Sequence, residues 1–169
     1  MKKPDSTLEI QGKKIGLEYP TYFIADIAAN HDGDIGRAKE LIYLAADAGA
    51  DAAKFQHFRA ETIVSDAGFK SLKGSQSHQG DWKESVFEVY KSASVSLDWT
   101  PILKETCDKA GVAFFTSPYA LDIVDHIDPY VPAYKVGSGD ITWLEMIEYI
   151  AFKHKPYIMA TGASTVDDV

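Results

Sequence analysis

The strongest constraint on the fold of this chain is an alternation of short apolar runs with segments of helical periodicity. Five apolar runs of four to seven residues predict strands at Tyr22–Ala28, Ala52–Gln56, Val112–Thr116, Ala133–Val136 and Tyr157–Ala160. In four segments between them, apolar residues recur every three or four positions and predict helices at Ile35–Ala48, Pro101–Ala110, Leu121–Ile127 and Trp143–Phe152. Such an alternation is typical of a parallel sheet in an α/β protein.

Two of these predicted helices have residues at their ends that favour the start and the termination of a helix. Asp34 is predicted to cap the first helix, and Gly49 lies where that helix ends. Thr100 is predicted to cap the second helix, with Pro101 at its first helical position and Gly111 at its end. Aspartate and threonine accept hydrogen bonds from free amides at a helix start, and glycine adopts the left-handed conformation that closes many helices.

Five strands fit two architectures, part of a (β/α)8 barrel or a five-stranded open sheet of flavodoxin type. The open sheet requires a final helix over the fifth strand. Ser164 and Asp167 predict only the start of a helix, and the chain ends at Val169. We therefore predict that residues 1–169 are the N-terminal portion of a (β/α)8 TIM barrel, with a short hairpin around Gln11–Gly12. On this prediction the isolated chain is inactive and exposes strand edges prone to self-association.

The composition of the chain argues against several classes of function. The net charge is -8 at pH 7, which argues against a nucleic-acid partner, because a phosphate backbone requires a basic surface. Cys107 is the one cysteine in the sequence, so an internal disulfide is excluded and a reducing compartment is predicted. The sequence shows no signal peptide, and no stretch reaches the roughly 18 apolar residues of a membrane span. These features predict a cytoplasmic protein that binds neither nucleic acid nor membrane.

The connection between the second strand and its helix is far longer than usual. Residues 57–99 are mostly polar and include one amphipathic piece around Val86–Tyr90. Because long loops at the carboxyl ends of strands often cover active sites, this segment is predicted to be a lid, with His57 in the lid or at the surface. His31, in the sequence NHDGD, is predicted to hold the turn into the first helix, with a catalytic role as the less favoured alternative.

Polar side chains follow the predicted strands at their carboxyl ends, where α/β enzymes gather their active sites. Lys54 and Lys135 lie inside apolar strands, and a buried lysine is costly unless it meets an anion. One interpretation is a pair of structural ion pairs with Asp26 and Asp140. The favoured interpretation is an anion site, because two strands each carry such a lysine. The predicted site residues are Asp26, Lys54, Gln56, Ser117, Lys135, Ser138 and Asp140.

Five blocks of sequence, in this order, resemble the N-acetylneuraminate (sialic acid) synthase family: IADIAANHDGDIGRAKELI, AGADAAKFQ, FFTSPY, PAYKVGSGDIT and KPYIMATGAST. They extend from about Tyr22 to Thr165, almost the whole chain. The resemblance implies the N-terminal part of a catalytic (β/α)8 barrel. It also implies a reaction in which C3 of phosphoenolpyruvate joins the aldehyde carbon of N-acetylmannosamine or a related amino sugar. The choice among neuraminic, legionaminic and pseudaminic acid precursors stays open.

The resemblance also implies roles for the predicted site residues. Lys54 and Lys135 match phosphoenolpyruvate-binding lysines of the family, Ser117 and Ser138 match phosphate and carboxylate donors, and Gln56 matches a residue near the same ligand. Asp26 and Asp140 lie at positions where many members of the family have glutamate. The resemblance implies that these acids orient the sugar or handle the proton of the attacking water.

Further expectations come from the family alone. They are a divalent metal, Mn²⁺ or Mg²⁺, and a homodimer in the full-length protein. The histidines that bind the metal and an antifreeze-like domain are expected beyond position 169. Two alternatives remain, another phosphoenolpyruvate-condensing barrel such as a 3-deoxy-heptulosonate-type synthase, and a non-catalytic anion-binding module.

Overall fold

An antiparallel hairpin precedes the parallel strands, as predicted. The structure is a computed structural model that describes residues 7–71 and 82–169. Strand β1 (Leu8–Ile10) pairs with β2 (Lys13–Ile15). The two residues between them, Gln11 and Gly12, have φ values of 48° and 79°. Two left-handed residues form the type of tight turn that matches the twist of paired strands.

The five predicted strands are all present, and neighbouring strands pair in parallel. They are β3 (Ile24–Ala28), β4 (Ala52–His57), β5 (Ala113–Pro118), β6 (Tyr134–Val136) and β7 (Tyr157–Met159). Pairing follows chain order as β3-β4-β5 and β6-β7, and β5 lies beside β6. A flavodoxin-type sheet would place β3 between β4 and β5. The observed order is the one required by a (β/α) barrel, so the open-sheet alternative is wrong.

Within the described residues, the helices lie in the connections between successive parallel strands. They are α1 (Ile35–Asp47), α2 (Ala60–Ile63), α3 (Asp66–Ser71), α4 (Val86–Ala93), α5 (Trp99–Ala110), α6 (Leu121–Ile127) and α7 (Leu144–Ala151). The four predicted helices are confirmed, and α4 is the predicted amphipathic piece. Helices α2 and α3 lie where the sequence predicted only a polar loop, and residues 72–81 of that loop lie outside the described residues.

Three of the predicted helix ends are confirmed and one is wrong. Gly49 follows the end of α1 in the left-handed conformation, with a φ of 84°. The Asp34 carboxylate accepts hydrogen bonds from the amides of Gly36 and Arg37 at 2.6 and 3.2 Å. Gly111 closes α5 with a φ of 73°. Thr100 does not cap α5, because the helix begins one residue earlier, at Trp99, and the Thr100 hydroxyl is buried in contact with two histidines.

The predicted helix start at Ser164 and Asp167 is shifted by one residue and forms a turn. The Asp168 carboxylate accepts a hydrogen bond from the Thr165 amide at 2.8 Å, and the Thr165 hydroxyl accepts one from the Asp168 amide at 3.3 Å. This reciprocal pattern is that of a capping box. The Ser164 hydroxyl is buried without a hydrogen-bond partner in the described residues, so it does not cap the turn.

Apolar side chains cover both faces of the parallel strands. Toward the helices, Phe55 and Phe114 pack in one core with Leu103, and all three are fully buried. A smaller cluster on the opposite face includes a residue of the hairpin: Ile10, Ala52, Ala113, Phe115 and Ala133. Because side chains alternate along a strand, the position of Phe55 leaves Lys54 and Gln56 on the face opposite the helices, as predicted.

His57 is a core residue, and its predicted place in the lid or at the surface is wrong. It is the last residue of β4 and is fully buried. Its Nδ1 lies 2.8 Å from the Thr116 hydroxyl and its Nε2 lies 2.9 Å from the Thr100 hydroxyl, so both ring nitrogens have partners. The Thr100 hydroxyl also lies 3.0 Å from Nε2 of His126. Burial, followed by the charges of His126 and His31, lowers the pKa of His57 to about 3.

The stability of the chain should therefore depend on pH through His57. The folded state keeps the ring neutral, whereas the unfolded state protonates it near its ordinary pKa of 6.5. This contribution to stability is present above pH 6.5 and is lost as the pH falls toward 3. Urea unfolding should show it as a decline of up to about 1.4 kcal/mol per pH unit. His57→Gln should reduce the decline, whereas His154→Gln, at an exposed residue, should keep it. Equal slopes in all three proteins would contradict this role.

Candidate active site

The register of β3 and β4 brings the first two predicted site residues together. Asp26 lies opposite Lys54 in the parallel ladder, and the Lys54 ammonium group lies 2.7 Å from the Asp26 carboxylate. Lys54 is 8% exposed, whereas the Asp26 side chain is 60% exposed. A buried ammonium group needs a compensating charge, and Asp26 supplies it while still facing solvent. The ion-pair interpretation therefore holds for Lys54.

Lys135 has a different environment from Lys54. It lies in the middle of β6, is half-buried, and donates a hydrogen bond of 2.6 Å to the carbonyl of Val136. Burial lowers the pKa of Lys135, the charge of Lys54 lowers it further, and Asp26 and Asp140 partly oppose the shift. A second positive charge is thus held close to the first with incomplete compensation. Such a pair favours the binding of an anion.

Asp140 lies on the other side of Lys135, in a 3-10 turn at Ser138–Asp140 that directly follows β6. Burial raises the pKa of Asp140, and Lys135 opposes the rise. The neighbouring Gly137 leaves room for this carboxylate. A methyl group at Gly137 would lie 2.7 Å from Oδ2 of Asp140 and 3.3 Å from the Tyr119 hydroxyl oxygen.

Gln56 and Ser117 are also neighbours, because they lie opposite each other in the β4-β5 ladder. Ser117 is buried, and the Gln56 amide donates a hydrogen bond of 3.3 Å to the Tyr119 hydroxyl. Burial and then the charge of Asp140 raise the pKa of Tyr119, while hydrogen bonds from Gln56 and Ser117 oppose the rise. Tyr119 was not among the predicted site residues, although it ends the FFTSPY block.

The seven predicted site residues therefore lie along one edge of the parallel strands. Four of them interact through charge, Asp26, Lys54, Lys135 and Asp140. Gln56 and Ser117 join this group through Tyr119, whose pKa responds to Asp140. Ser138 shares the turn of Asp140, and a methyl group at Gly162, in the chain after β7, would lie 3.9 Å from the Cβ of Ser138.

Part of the segment predicted as a lid lies over this edge. The ring of Phe58 packs 6.1 Å from that of Tyr119 and 5.5 Å from that of Tyr90 in α4. The segment thus contacts the site, as expected for a cover. Its opening and closing stay a prediction.

His31 holds the turn between β3 and α1, as the sequence predicted. Its Nδ1 accepts a hydrogen bond of 3.1 Å from the Gly33 amide, and its ring packs edge-on against Trp99 at 5.5 Å. Burial lowers the pKa of His31, with Asp32 opposing the shift. A neutral ring that accepts from the turn is a structural group.

Two kinds of feature are absent from the described residues, a cluster of metal ligands and a membrane-spanning helix. Residues 7–71 and 82–169 contain no group of three or more His, Cys, Asp or Glu side chains arranged to hold a metal ion. None of the helices in the same residues combines the length and apolar character required to cross a membrane.

Comparison with known proteins places this chain in a family. The NeuB family model matches residues 41–169. The N,N'-diacetyllegionaminic acid synthase of Legionella pneumophila is 32% identical over 168 residues, which cover 97% of this chain and 46% of that protein. The N-acetylneuraminate-9-phosphate synthase of Homo sapiens is 30% identical over 159 residues, which cover 92% of this chain and 43% of that protein.

Solved structures give the same result. The N-acetylneuraminic acid synthetase from Leptospira borgpetersenii, in complex with citrate, superimposes with a TM-score of 0.79 at 26% identity, over 96% of this chain and 52% of that one. A truncated 3-deoxy-D-arabino-heptulosonate 7-phosphate synthase from Thermotoga maritima, with a TM-score of 0.65 at 12% identity, over 97% of this chain and 48% of that one, shares the fold alone. The chain has the TIM-barrel fold of these synthases and spans about half the length of the relatives it matches. It belongs to the NeuB family.

Proposed function

We propose that this chain carries the phosphoenolpyruvate site of a synthase that condenses phosphoenolpyruvate with an amino sugar to give a nonulosonic acid and phosphate. The observation that carries the proposal is the convergence of two partly buried lysines, of which Lys54 has a carboxylate partner and Lys135 donates to a backbone carbonyl. Family membership supports the same reaction, because characterised relatives are named as synthases of such acids.

The chemistry of phosphoenolpyruvate suits these residues. The ligand carries a phosphate and a carboxylate on neighbouring atoms, so it needs at least two cationic or hydrogen-bonding groups a short distance apart. Lys135 and Lys54 supply the charge, and Ser117, Ser138 and Gln56 supply neutral polar groups at the same strand ends. A hydrogen bond to a charged group contributes about 1.5–3 kcal/mol.

In the proposed reaction, C3 of phosphoenolpyruvate forms a bond with the aldehyde carbon of the open-chain sugar. Water adds at C2, and the C–O bond to phosphate then breaks, so that one water is consumed and one phosphate is released. Asp26 faces solvent beside Lys54 and is placed to accept the proton of that water. Asp140, whose pKa burial raises, is placed to hydrogen-bond a sugar hydroxyl or hold a proton.

Three further features belong to the proposal. A divalent metal, Mn²⁺ or Mg²⁺, would polarise the sugar aldehyde when bound. Residues 7–71 and 82–169 contain no group of three or more His, Cys, Asp or Glu side chains that could hold it. We also propose that the full-length protein is a cytoplasmic homodimer.

Removal of one lysine should weaken phosphoenolpyruvate binding selectively. In the full-length protein, Lys135→Met should raise the KM for phosphoenolpyruvate by about tenfold to a hundredfold, the equivalent of one lost charge-assisted contact. Lys109→Met, at an exposed lysine of α5, is the matched control and should leave the KM unchanged. The measurement is the release of phosphate with N-acetylmannosamine and related amino sugars. Unchanged kinetics in both Lys135→Met and Lys54→Met would refute the anion site, and binding without turnover in the wild type would support the non-catalytic alternative.

Neutralisation of Asp26 should separate catalysis from binding. Asp26→Asn removes the proposed proton acceptor, so kcat should fall by about a hundredfold or more. The KM for phosphoenolpyruvate should stay the same or decrease, because the Lys54 charge is then free for the ligand. Asp26→Glu should restore much of kcat, and Asp122→Asn, in an exposed ion pair with Arg59, should change neither constant. Equal losses in kcat and in phosphoenolpyruvate affinity would count against a role of Asp26 in the chemistry.

A further inference from the structure

A chain of hydrogen-bonding side chains lies behind the candidate active site, between the parallel strands and the helices. Thr116 of β5 and Thr100 of α5 are fully buried, and each places its hydroxyl against one nitrogen of the His57 ring. The Thr100 hydroxyl also lies 3.0 Å from Nε2 of His126 in α6. Because His57 ends β4, the chain joins two neighbouring strands to two helices.

The partners at one end of the chain fix the direction of each hydrogen bond. Nε2 of His126 also lies 3.2 Å from the carbonyl oxygen of Leu97, which can only accept, so this nitrogen carries a proton. The Thr100 hydroxyl then accepts from His126 and donates to Nε2 of His57. With Nε2 as an acceptor, the neutral ring of His57 carries its proton on Nδ1 and donates it to the Thr116 hydroxyl.

The hydrogen bond between His57 and Thr116 lies on the opposite face of the strands from two candidate site residues. His57 directly follows Gln56, and Thr116 directly precedes Ser117. Gln56 and Ser117 are partners in the β4-β5 ladder. Because side chains alternate along a strand, His57 and Thr116 face the helices while Gln56 and Ser117 face the candidate site. The outer pair therefore holds the two strands together where the inner pair is presented.

The backbone of His57 anchors the same part of the chain. Its carbonyl accepts a hydrogen bond of 3.1 Å from the amide of Tyr119. His57 thus contacts the chain on both sides of Ser117, through its ring at Thr116 and through its carbonyl at Tyr119. A hydroxyl donates well to a ligand only within a narrow range of distance and angle, so the affinity depends on how firmly this backbone is held.

We propose that His57 is a positioning residue for the anion site, acting through Thr116 on the Ser117 hydroxyl. The inference rests on the proposed function for the identity of the ligand, phosphoenolpyruvate. If the ring contributed only to the stability of the core, its contacts with Thr100 and with Thr116 would be equivalent for ligand binding. A positioning role makes them unequal, because Thr116 adjoins Ser117 in β5 and Thr100 belongs to α5.

The test uses variants of the full-length protein that break the chain on one side of His57 or on the other. Thr116→Val should raise the dissociation constant for phosphoenolpyruvate about threefold to tenfold, the effect of one weakened hydrogen bond to the anion. Thr100→Val, the matched control, removes an equally buried hydroxyl from the same ring and should leave this constant within about twofold of the wild type. Calorimetric titration with phosphoenolpyruvate alone measures binding, and urea unfolding compares the stability of the two variants.

Two substitutions of His57 separate the same two contacts. His57→Asn keeps an amide on Cγ, the atom that carries Nδ1, so it can still donate to Thr116 and should retain most of the affinity. His57→Gln extends the amide one carbon further, toward Thr100, and loses the contact with Thr116. It should therefore weaken phosphoenolpyruvate binding as much as Thr116→Val does.

The nitrogen chemical shifts of isotope-labelled histidine give a measurement that needs no ligand. The ring signals of His57, identified by their loss in His57→Gln, should show a neutral ring with the proton on Nδ1 at neutral pH. A proton on Nε2, or equal phosphoenolpyruvate affinities in Thr116→Val and Thr100→Val, would overturn the positioning role. Weaker binding confined to Thr116→Val and His57→Gln, together with no phosphate release when the amino sugar is added, would support this role and refute the proposed reaction.

Discussion

The ion pair between Lys54 and Asp26 is the interaction on which the site depends. Lys54 is almost fully buried on a strand whose opposite face packs against the helices, so an unpaired ammonium group there would cost several kcal/mol. The parallel register of β3 and β4 places Asp26 directly opposite Lys54, where its carboxylate supplies the compensating charge. Because the register also fixes where each strand ends, the same pairing determines which polar residues of β3, β4 and β5 meet at the carboxyl edge.

A second lysine beside this pair is the basis of the proposed anion site. Lys135 is close enough to Lys54 for the two charges to oppose each other, and its nearest acceptor is a backbone carbonyl at 2.6 Å. Asp26, which faces solvent, and Asp140, which lines a neighbouring cavity, counter this charge. Under the proposed function, the lysines would bind the anion and the aspartates would handle protons. Folding brings the two lysine charges together, and the rest of the fold must offset the free energy that their repulsion costs. A dianionic ligand would relieve this repulsion.

The sequence predicted much of this structure because the relevant signals are local. Apolar runs and helical periodicity located the five parallel strands and the four main helices, and capping rules placed Asp34 and Gly111 correctly. Contacts between residues that are distant in the sequence were harder to predict. His57 follows a strand and precedes a polar segment, which indicates a loop, yet hydroxyls from α5 and β5 make it a core residue. Tyr119 lies 63 positions from its partner Gln56, and only the β4-β5 register joins them.

The two lysines of the proposed anion site and much of the wall of the neighbouring cavity come from different parts of the chain. The lysines lie inside strands, where register, buried neighbours and the hydrogen bonds of the ladder restrict change, so a shift of Lys54 would also displace Phe55 from the core. Residues 62–64, Phe69 and Tyr90, which with Asp140 line a cavity of about 380 Å³, belong to a long excursion between β4 and α5 that carries little of that core. Substitutions there would change the shape of this cavity at small cost to the parallel strands. Relatives of this chain are named as synthases of N,N'-diacetyllegionaminic acid and of pseudaminic acid. Under the proposed function, the strand lysines would stay constant among such proteins while the cavity wall varied with the sugar.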